Sequence, residues 1–226
     1  MANIVFLVLT LGGAAYLLNQ VRKPSKWLGR AFLRSMNARH SAVTDWGLSH
    51  VGIGEQLAIL DVGCGGGRTV EKLATLAPRA RVVGIDYANG SVAESRAHNA
   101  ARIAAGQVEI VHASVSNLPG PSGRFDLATA IETHYYWPNM VGALREIRRV
   151  LRPGAKLVLI AEMYRDARFG WAAQLAMAPL RAALLTAEEH RQRFADAGFE
   201  AIEVLTDRDR GWICALGTAP AIVSTE

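Results

Sequence analysis

Hydrophobic and polar positions divide the 226-residue chain into three stretches. Residues 2–20 form a run of 19 uncharged positions rich in Ile, Val, Leu and Phe. As a helix this run would be about 28 Å long, close to the hydrocarbon thickness of a bilayer. Residues 22–50 change character. Trp27, Phe32, Leu33 and Met36 alternate with Lys26, Arg30, Arg34 and Arg39, as in a basic interfacial helix, and Pro24 breaks continuity with the run before it.

From Gln56 onward, short apolar runs of strand length alternate with segments of helical period. Strands are expected at 57–62, 81–86, 107–112, 125–131, 155–161, 200–206 and 211–218. Helices are expected at about 67–77, 89–104, 138–150 and 186–197. Thr186-Ala187-Glu188-Glu189 is a capping-box pattern and Gly198 a C-terminal stop, while Pro153-Gly154 makes the turn into the fifth strand. The alternation predicts an α/β fold, doubly wound on a seven-stranded, mostly parallel sheet, with an N-terminal apolar helix. Residues 1–21 are expected to be a membrane-anchor helix, 22–50 a connector and 51–226 one folded domain. Residues 163–185 interrupt the alternation with an apolar helical stretch containing Phe169, Gly170 and Trp171, flanked by Arg165, Arg168 and Arg181. Such a stretch either covers a ligand or completes the core.

Charge sharpens the reading once it is located. The net charge is +5, yet residues 1–40 hold six basic residues and no acid, leaving 19 basic and 20 acidic residues elsewhere. A nucleic-acid-binding surface would spread positive charge over the folded domain, so no nucleic-acid partner is expected. Basic residues confined beside an apolar run suit a membrane surface instead. With all flanking charge on the C-terminal side, a single-pass anchor has its N-terminus outside and residue 21 onward in the cytoplasm. A cleaved signal peptide would have a basic segment before the run; the remaining alternative is a helix folded over the domain as a lid. Cys64 and Cys214 suggest neither a disulfide nor a metal spacing, no two histidines lie at ligand spacing, and no metal is expected.

The chemistry centres on Leu60-Asp61-Val62-Gly63-Cys64-Gly65-Gly66-Gly67, between a strand and a helix. Glycine has no Cβ, so a ligand can lie against bare backbone there, and the helix N-terminus adds unpaired N–H groups. A dinucleotide fingerprint would need a glycine at position 68, which is Arg68. Asp61 followed by Gly63-x-Gly65-x-Gly67 resembles instead the first motif of class I S-adenosylmethionine-dependent methyltransferases, and the resemblance runs from about residue 45 to about 218. Leu151-Arg152-Pro153-Gly154 before an apolar strand is a further match.

The resemblance implies a Rossmann-like fold whose final strand lies antiparallel beside the fifth. It implies S-adenosylmethionine as cofactor, held by Asp61, Gly63, Cys64, Gly65 and Gly67. Asp86 ends the second strand where the family carries its ribose-binding acid, and Tyr87 would lie against the adenine. Ser114 stands where many relatives have Asp for the adenine amino group; Val115 and Ile131 would complete the cofactor's surroundings. Residues 22–50, with His40, would cover the cofactor, and residues 163–185, with Trp171, the substrate.

Glu132-Thr133-His134-Tyr135-Tyr136-Trp137 follows the fourth strand, and Glu162 ends the fifth. Methyl transfer from a sulfonium is a one-step displacement, so the protein aligns donor and acceptor and removes a proton where necessary. Glu132, His134, Tyr135 and Glu162 are therefore the expected catalytic residues. His40, Tyr136, Trp137 and Trp171 are expected to contact substrate. The alternative is that the aromatics anchor the next helix and the glutamates hold the loop. The expected reaction is methyl transfer to N, O or S of a small molecule, with carboxylates beside aromatics favouring an amine or azole. Alternative readings are a membrane quinone or lipid methyltransferase and a non-catalytic S-adenosylmethionine-binding partner.

Overall fold

The computed structural model describes residues 41–180 and 182–221. The anchor expected over 2–20 and the basic residues 22–39 lie outside the described residues, as does His40. Among the described residues no helix is long and apolar enough to cross a membrane.

The described chain runs α1 (Ser41–Leu48), β1 (Ala58–Val62), α2 (Arg68–Leu76), β2 (Arg81–Asp86), α3 (Asn89–His98), α4 (Ala100–Ala104), β3 (Val108–His112) and β4 (Phe125–Ile131). It continues through α5 (Met140–Val150), β5 (Leu151–Ala161), α6 (Gly170–Met177), α7 (Ala187–Asp196), β6 (Glu200–Asp207) and β7 (Trp212–Thr218). The strands form one seven-stranded sheet in the order β3-β2-β1-β4-β5-β7-β6. The first five are parallel, and β7 pairs antiparallel with both β5 and β6. The doubly wound sheet and the antiparallel strand inserted beside the fifth are both as expected.

Runs such as Leu157–Ala161 are buried throughout because helices cover both faces of the sheet. One face is packed by Leu60, Val62, Leu144, Ile147 and Phe194, the other by Ile59, Val70, Leu73, Val82 and Ile160. α1 is built into the second layer through Val43 and Leu48, and a Cβ on Gly47 would collide with Ile160. Within the expected connector, this segment is therefore a packing helix.

Three boundaries differ from expectation. The helix expected over 89–104 is broken at Asn99, whose amide donates to the carbonyls of Gly67 and Ser95, each at 3.0 Å. That bond crosses 32 residues, and local periodicity carries no trace of it. The fifth strand begins at Leu151, because Leu151 already pairs with Phe125 and the Gly154 N–H donates to Ala219. The helix expected from 138 starts at Met140, where the Asn139 side chain accepts from the Gly142 N–H as N-cap.

Candidate active site

In the strand order, β2 and β3 lie on one side of β1 and β4 and β5 on the other, so the topological switch falls between β1 and β4. Ligands of open parallel sheets collect beyond the carboxyl ends of the strands at that crevice. The glycine loop leaves the end of β1 and enters α2 there. The N–H groups of Gly63 and Cys64 both donate to the Ile85 carbonyl at 2.8 Å, which pins the loop to β2. Gly63, Gly65 and Gly67 all have positive φ. A Cβ on Gly63 would strike Thr133, and one on Gly67 would strike Ser95 and Asn99; a Cβ on Gly65 would meet nothing. Packing thus accounts for the outer glycines. The middle one presents bare backbone to open space, as a cradle for a bound molecule requires.

Asp86 lies at the end of β2, buried, and its carboxylate accepts from the N–H groups of Gly65 at 3.0 Å and Ala88 at 2.8 Å. Burial raises its pKa, while those two bonds, Ser91 and the charge of His112 oppose the rise. Asp61 is more enclosed, at 1% exposure. One of its oxygens accepts from Thr129 Oγ1 at 2.7 Å; the other, Oδ2, has no hydrogen-bond partner. Burial pushes the Asp61 carboxyl from 3.8 to about 7, against the Thr129 bond and with help from the charge of Asp86. A buried acceptor with no donor is costly unless a ligand supplies one.

The other expected cofactor residues are spread around this cradle. Cys64 is buried, its Sγ 3.7 Å from Ser95 Oγ, and burial keeps it a thiol. Tyr87 is exposed beside Asp86, and its carbonyl lies 2.8 Å from His112 Nε2. The Ser114 hydroxyl accepts from the Ser116 N–H at 3.2 Å in a turn beyond β3, while Val115 packs on the core. Ile131 closes β4 and is buried.

On the acceptor side, Glu132 follows β4 with φ 57°, a left-handed conformation rare for a residue with a side chain. Its carboxylate accepts from the backbone N–H of Glu162 and, at 3.3 Å, from the Tyr135 hydroxyl; that hydroxyl in turn accepts from the Met163 N–H at 3.1 Å. Glu132 and Tyr135 therefore clamp the end of β4 to the exit of β5. Tyr135 is 3% exposed, and burial with the nearby glutamates holds its phenol protonated. Glu162 is half-buried beside them.

His134, one of the expected catalytic residues, is enclosed at 3% exposure. Its Nε2 lies 3.2 Å from Nε2 of His190, a residue of α7 that periodicity and spacing did not single out. Burial, aided by His190, lowers the His134 pKa well below the ordinary value. Tyr136 and Trp137 are half-buried against separate clusters, whereas Trp171 is 70% exposed on α6. Within 163–185, Met177 and Leu184 pack with Tyr164, and the Ala183 N–H donates to Tyr135 at 2.9 Å, tying this stretch to the β4 loop. No cluster of metal-ligating side chains occurs among the described residues.

Residues 60–159 match a family model described as a methyltransferase domain. O-methyltransferase rstn1 of Aspergillus nomiae is 37% identical over 121 residues, 51% of this chain and 53% of the relative. O-methyltransferase cnsE of Penicillium expansum is 34% identical over 160 residues, covering 67% and 55% respectively. The chain thus spans about half the length of these curated relatives. Among solved structures, the S-adenosylmethionine-dependent methyltransferase SibL superposes with a TM-score of 0.69 at 18% identity, over 87% of this chain and 60% of that one. The sheet is that of the Rossmann-like methyltransferases.

Proposed function

We propose, from the premise that residues 60–159 form a methyltransferase domain that uses S-adenosylmethionine, that the chain transfers the methyl group to an oxygen of a small molecule. One observation carries the choice of oxygen: the two relatives above are O-methyltransferases, 37% identical over 121 residues and 34% identical over 160. The choice replaces the amine or azole that carboxylates beside aromatics favoured.

Bound S-adenosylmethionine supplies a sulfonium methyl group. The residues present fit it. Bare backbone at Gly65 admits it, the Asp86 carboxylate suits vicinal ribose hydroxyls, and the unpaired Asp61 Oδ2 suits a cationic ammonium group. In the displacement, a C–O bond forms as the C–S bond breaks, and the hydroxyl proton must go to a base. Glu132 and Tyr135 are engaged in the clamp, so their role is to hold the β4 and β5 ends beside the acceptor. His134 and Glu162 are assigned the proton and the acceptor's orientation.

The test is methyl transfer from S-adenosylmethionine to a panel of phenols, alcohols, carboxylic acids, thiols and amines, with products identified by mass. Methylated oxygen is the expected outcome; turnover confined to amines or thiols refutes the assignment.

A second reading concerns where the acceptor is met. The uncharged run 2–20, the six basic residues after it and the exposed Phe169, Trp171 and Leu175 support a membrane-held enzyme with its catalytic domain cytoplasmic and a lipid-borne acceptor. Extraction in alkaline carbonate tests it: the full chain should stay with the membrane, and release into the soluble fraction rules the anchor out.

A further inference from the structure

Asn99 stands at the break between α3 and α4, at 2% exposure. Its side-chain nitrogen donates to two carbonyl oxygens, those of Ser95 and Gly67, each at 3.0 Å. A carbonyl only accepts, so the amide nitrogen and not the amide oxygen must face them. The bond to Ser95 is local, four residues back along the chain. The bond to Gly67 is not: it crosses from the α3–α4 junction to the last glycine of the cradle.

Gly67 is where the loop becomes α2. Its φ of 86° is left-handed, and as N-cap it offers no side chain to the start of the helix. Its N–H donates to the Cys64 carbonyl at 2.9 Å, and its own carbonyl accepts from the Glu71 N–H at 3.0 Å as well as from Asn99. The missing Cβ leaves the space that Asn99 fills, since a Cβ at 67 would lie 2.5 Å from Asn99 Nδ2. The loop is thus anchored at Gly63 and Cys64 by the Ile85 carbonyl of β2, and at Gly67 by Asn99. Between these two ties the Gly65 N–H donates to Asp86 at 3.0 Å.

We propose that Asn99 is a positioning residue for the cofactor. By holding the Gly67 carbonyl it fixes the far end of the glycine loop and keeps the Gly65 N–H on the Asp86 carboxylate. That bond leaves the carboxylate oriented, with lone pairs over for the ribose hydroxyls. The inference rests on the reading that S-adenosylmethionine occupies this cradle and does not depend on which atom accepts the methyl group. The competing role for Asn99 is structural, to end α3 and nothing more.

The test is calorimetry of S-adenosylmethionine binding to the full chain and three variants, which needs no acceptor. Asn99→Ser keeps a hydroxyl able to donate to the Ser95 carbonyl four residues back and is too short to reach Gly67. Asn99→Asp keeps the shape and turns an oxygen toward two carbonyls. Gly65→Ala probes the cradle itself. Both Asn99 variants should bind at least about tenfold more weakly. A structural role alone lowers the fraction of chains that bind, leaving the Kd of the rest unchanged, and that result overturns the proposal. In ¹⁵N-labelled chain without cofactor, the Gly65 amide resonance should shift in Asn99→Ser as its bond to Asp86 loosens; an unmoved resonance also overturns it. If Asn99→Asp does not fold, Asn99→Ser decides alone. Affinity lost in Gly65→Ala but kept in Asn99→Ser refutes the positioning role and leaves the cradle standing. Affinity kept in both refutes the cradle reading, and the role of Asn99 with it.

Discussion

Asp61→Asn should stabilise the protein at pH 8 in the absence of cofactor and weaken its hold on the cofactor. Burial raises the Asp61 carboxyl from 3.8 to about 7 in the folded chain. The gap corresponds to about 4 kcal/mol. Its sign follows from the folded pKa lying above the unfolded one. The neutral carboxyl's contribution is fully present below pH 3.8, declines as pH rises, and is lost once pH passes through about 7. Asparagine has no proton to lose, and its amide oxygen can still accept from Thr129. The variant should therefore gain on the natural chain as pH rises, by about 8–16 °C in Tm at pH 8 if the whole difference is expressed.

Thermal unfolding of both chains at pH 5 and pH 8, without cofactor, reads this directly. An equal gap at the two pH values, or a variant less stable at pH 8, refutes the reasoning. Calorimetry supplies the second half. A cationic ligand beside Oδ2 should lower the Asp61 pKa again, so binding at pH 6.5 releases a proton from the natural chain. Two buffers of different ionisation heat should report that proton, and Asp61→Asn should bind more weakly and release none.

Other substitutions separate packing from ligand contact. Gly65→Ala should cost only about 1 kcal/mol of stability, from its positive φ, because its Cβ meets open space; cofactor affinity should nevertheless fall at least about tenfold. Unchanged affinity by calorimetry would place the cofactor elsewhere. Gly67→Ala meets Ser95 and Asn99 as well as an unfavourable φ, and chemical denaturation should show a loss of about 2 kcal/mol or more. Glu132→Ala leaves the Glu162 N–H without its carboxylate acceptor and the Tyr135 hydroxyl with only the Met163 carbonyl, at 3.4 Å, and should cost about 1–3 kcal/mol, whereas Glu132→Gln, which can still accept from Glu162, should cost less. Equal losses in the two Glu132 variants would remove the clamp from the account.

The fold and the cofactor side were legible because their signals are local. Each strand is a short apolar run, each helix a periodic one, and the cradle is contiguous from Asp61 to Gly67. Thr186 to Glu189 encode a helix start within four residues, and the structure contains both reciprocal bonds. Where a side chain reaches across the fold, legibility fails. Asn99 breaks a helix to bond the carbonyl of Gly67, and the Leu151 end of β5 extends because Phe125 is there to pair with it. Even the order of the glycines' importance needed three dimensions, since Thr133 and Ser95, which decide it, lie far from the loop in sequence.

The acceptor side shows the same limit in its chemistry. Residue types after β4 point to acids and bases, but a residue's task depends on what its hydrogen bonds already occupy. Glu132 accepts from a backbone N–H and a hydroxyl, which ties two strand ends together and offsets a left-handed φ that costs about 1–3 kcal/mol. His134 meets His190 across 56 residues, a separation at which no spacing rule for paired histidines applies. The other ring nitrogen of His134, Nδ1, has no hydrogen-bond partner, which is visible only after every group around it has been counted. The partner of His134 is therefore supplied by α7, an element far in sequence from the glycine loop.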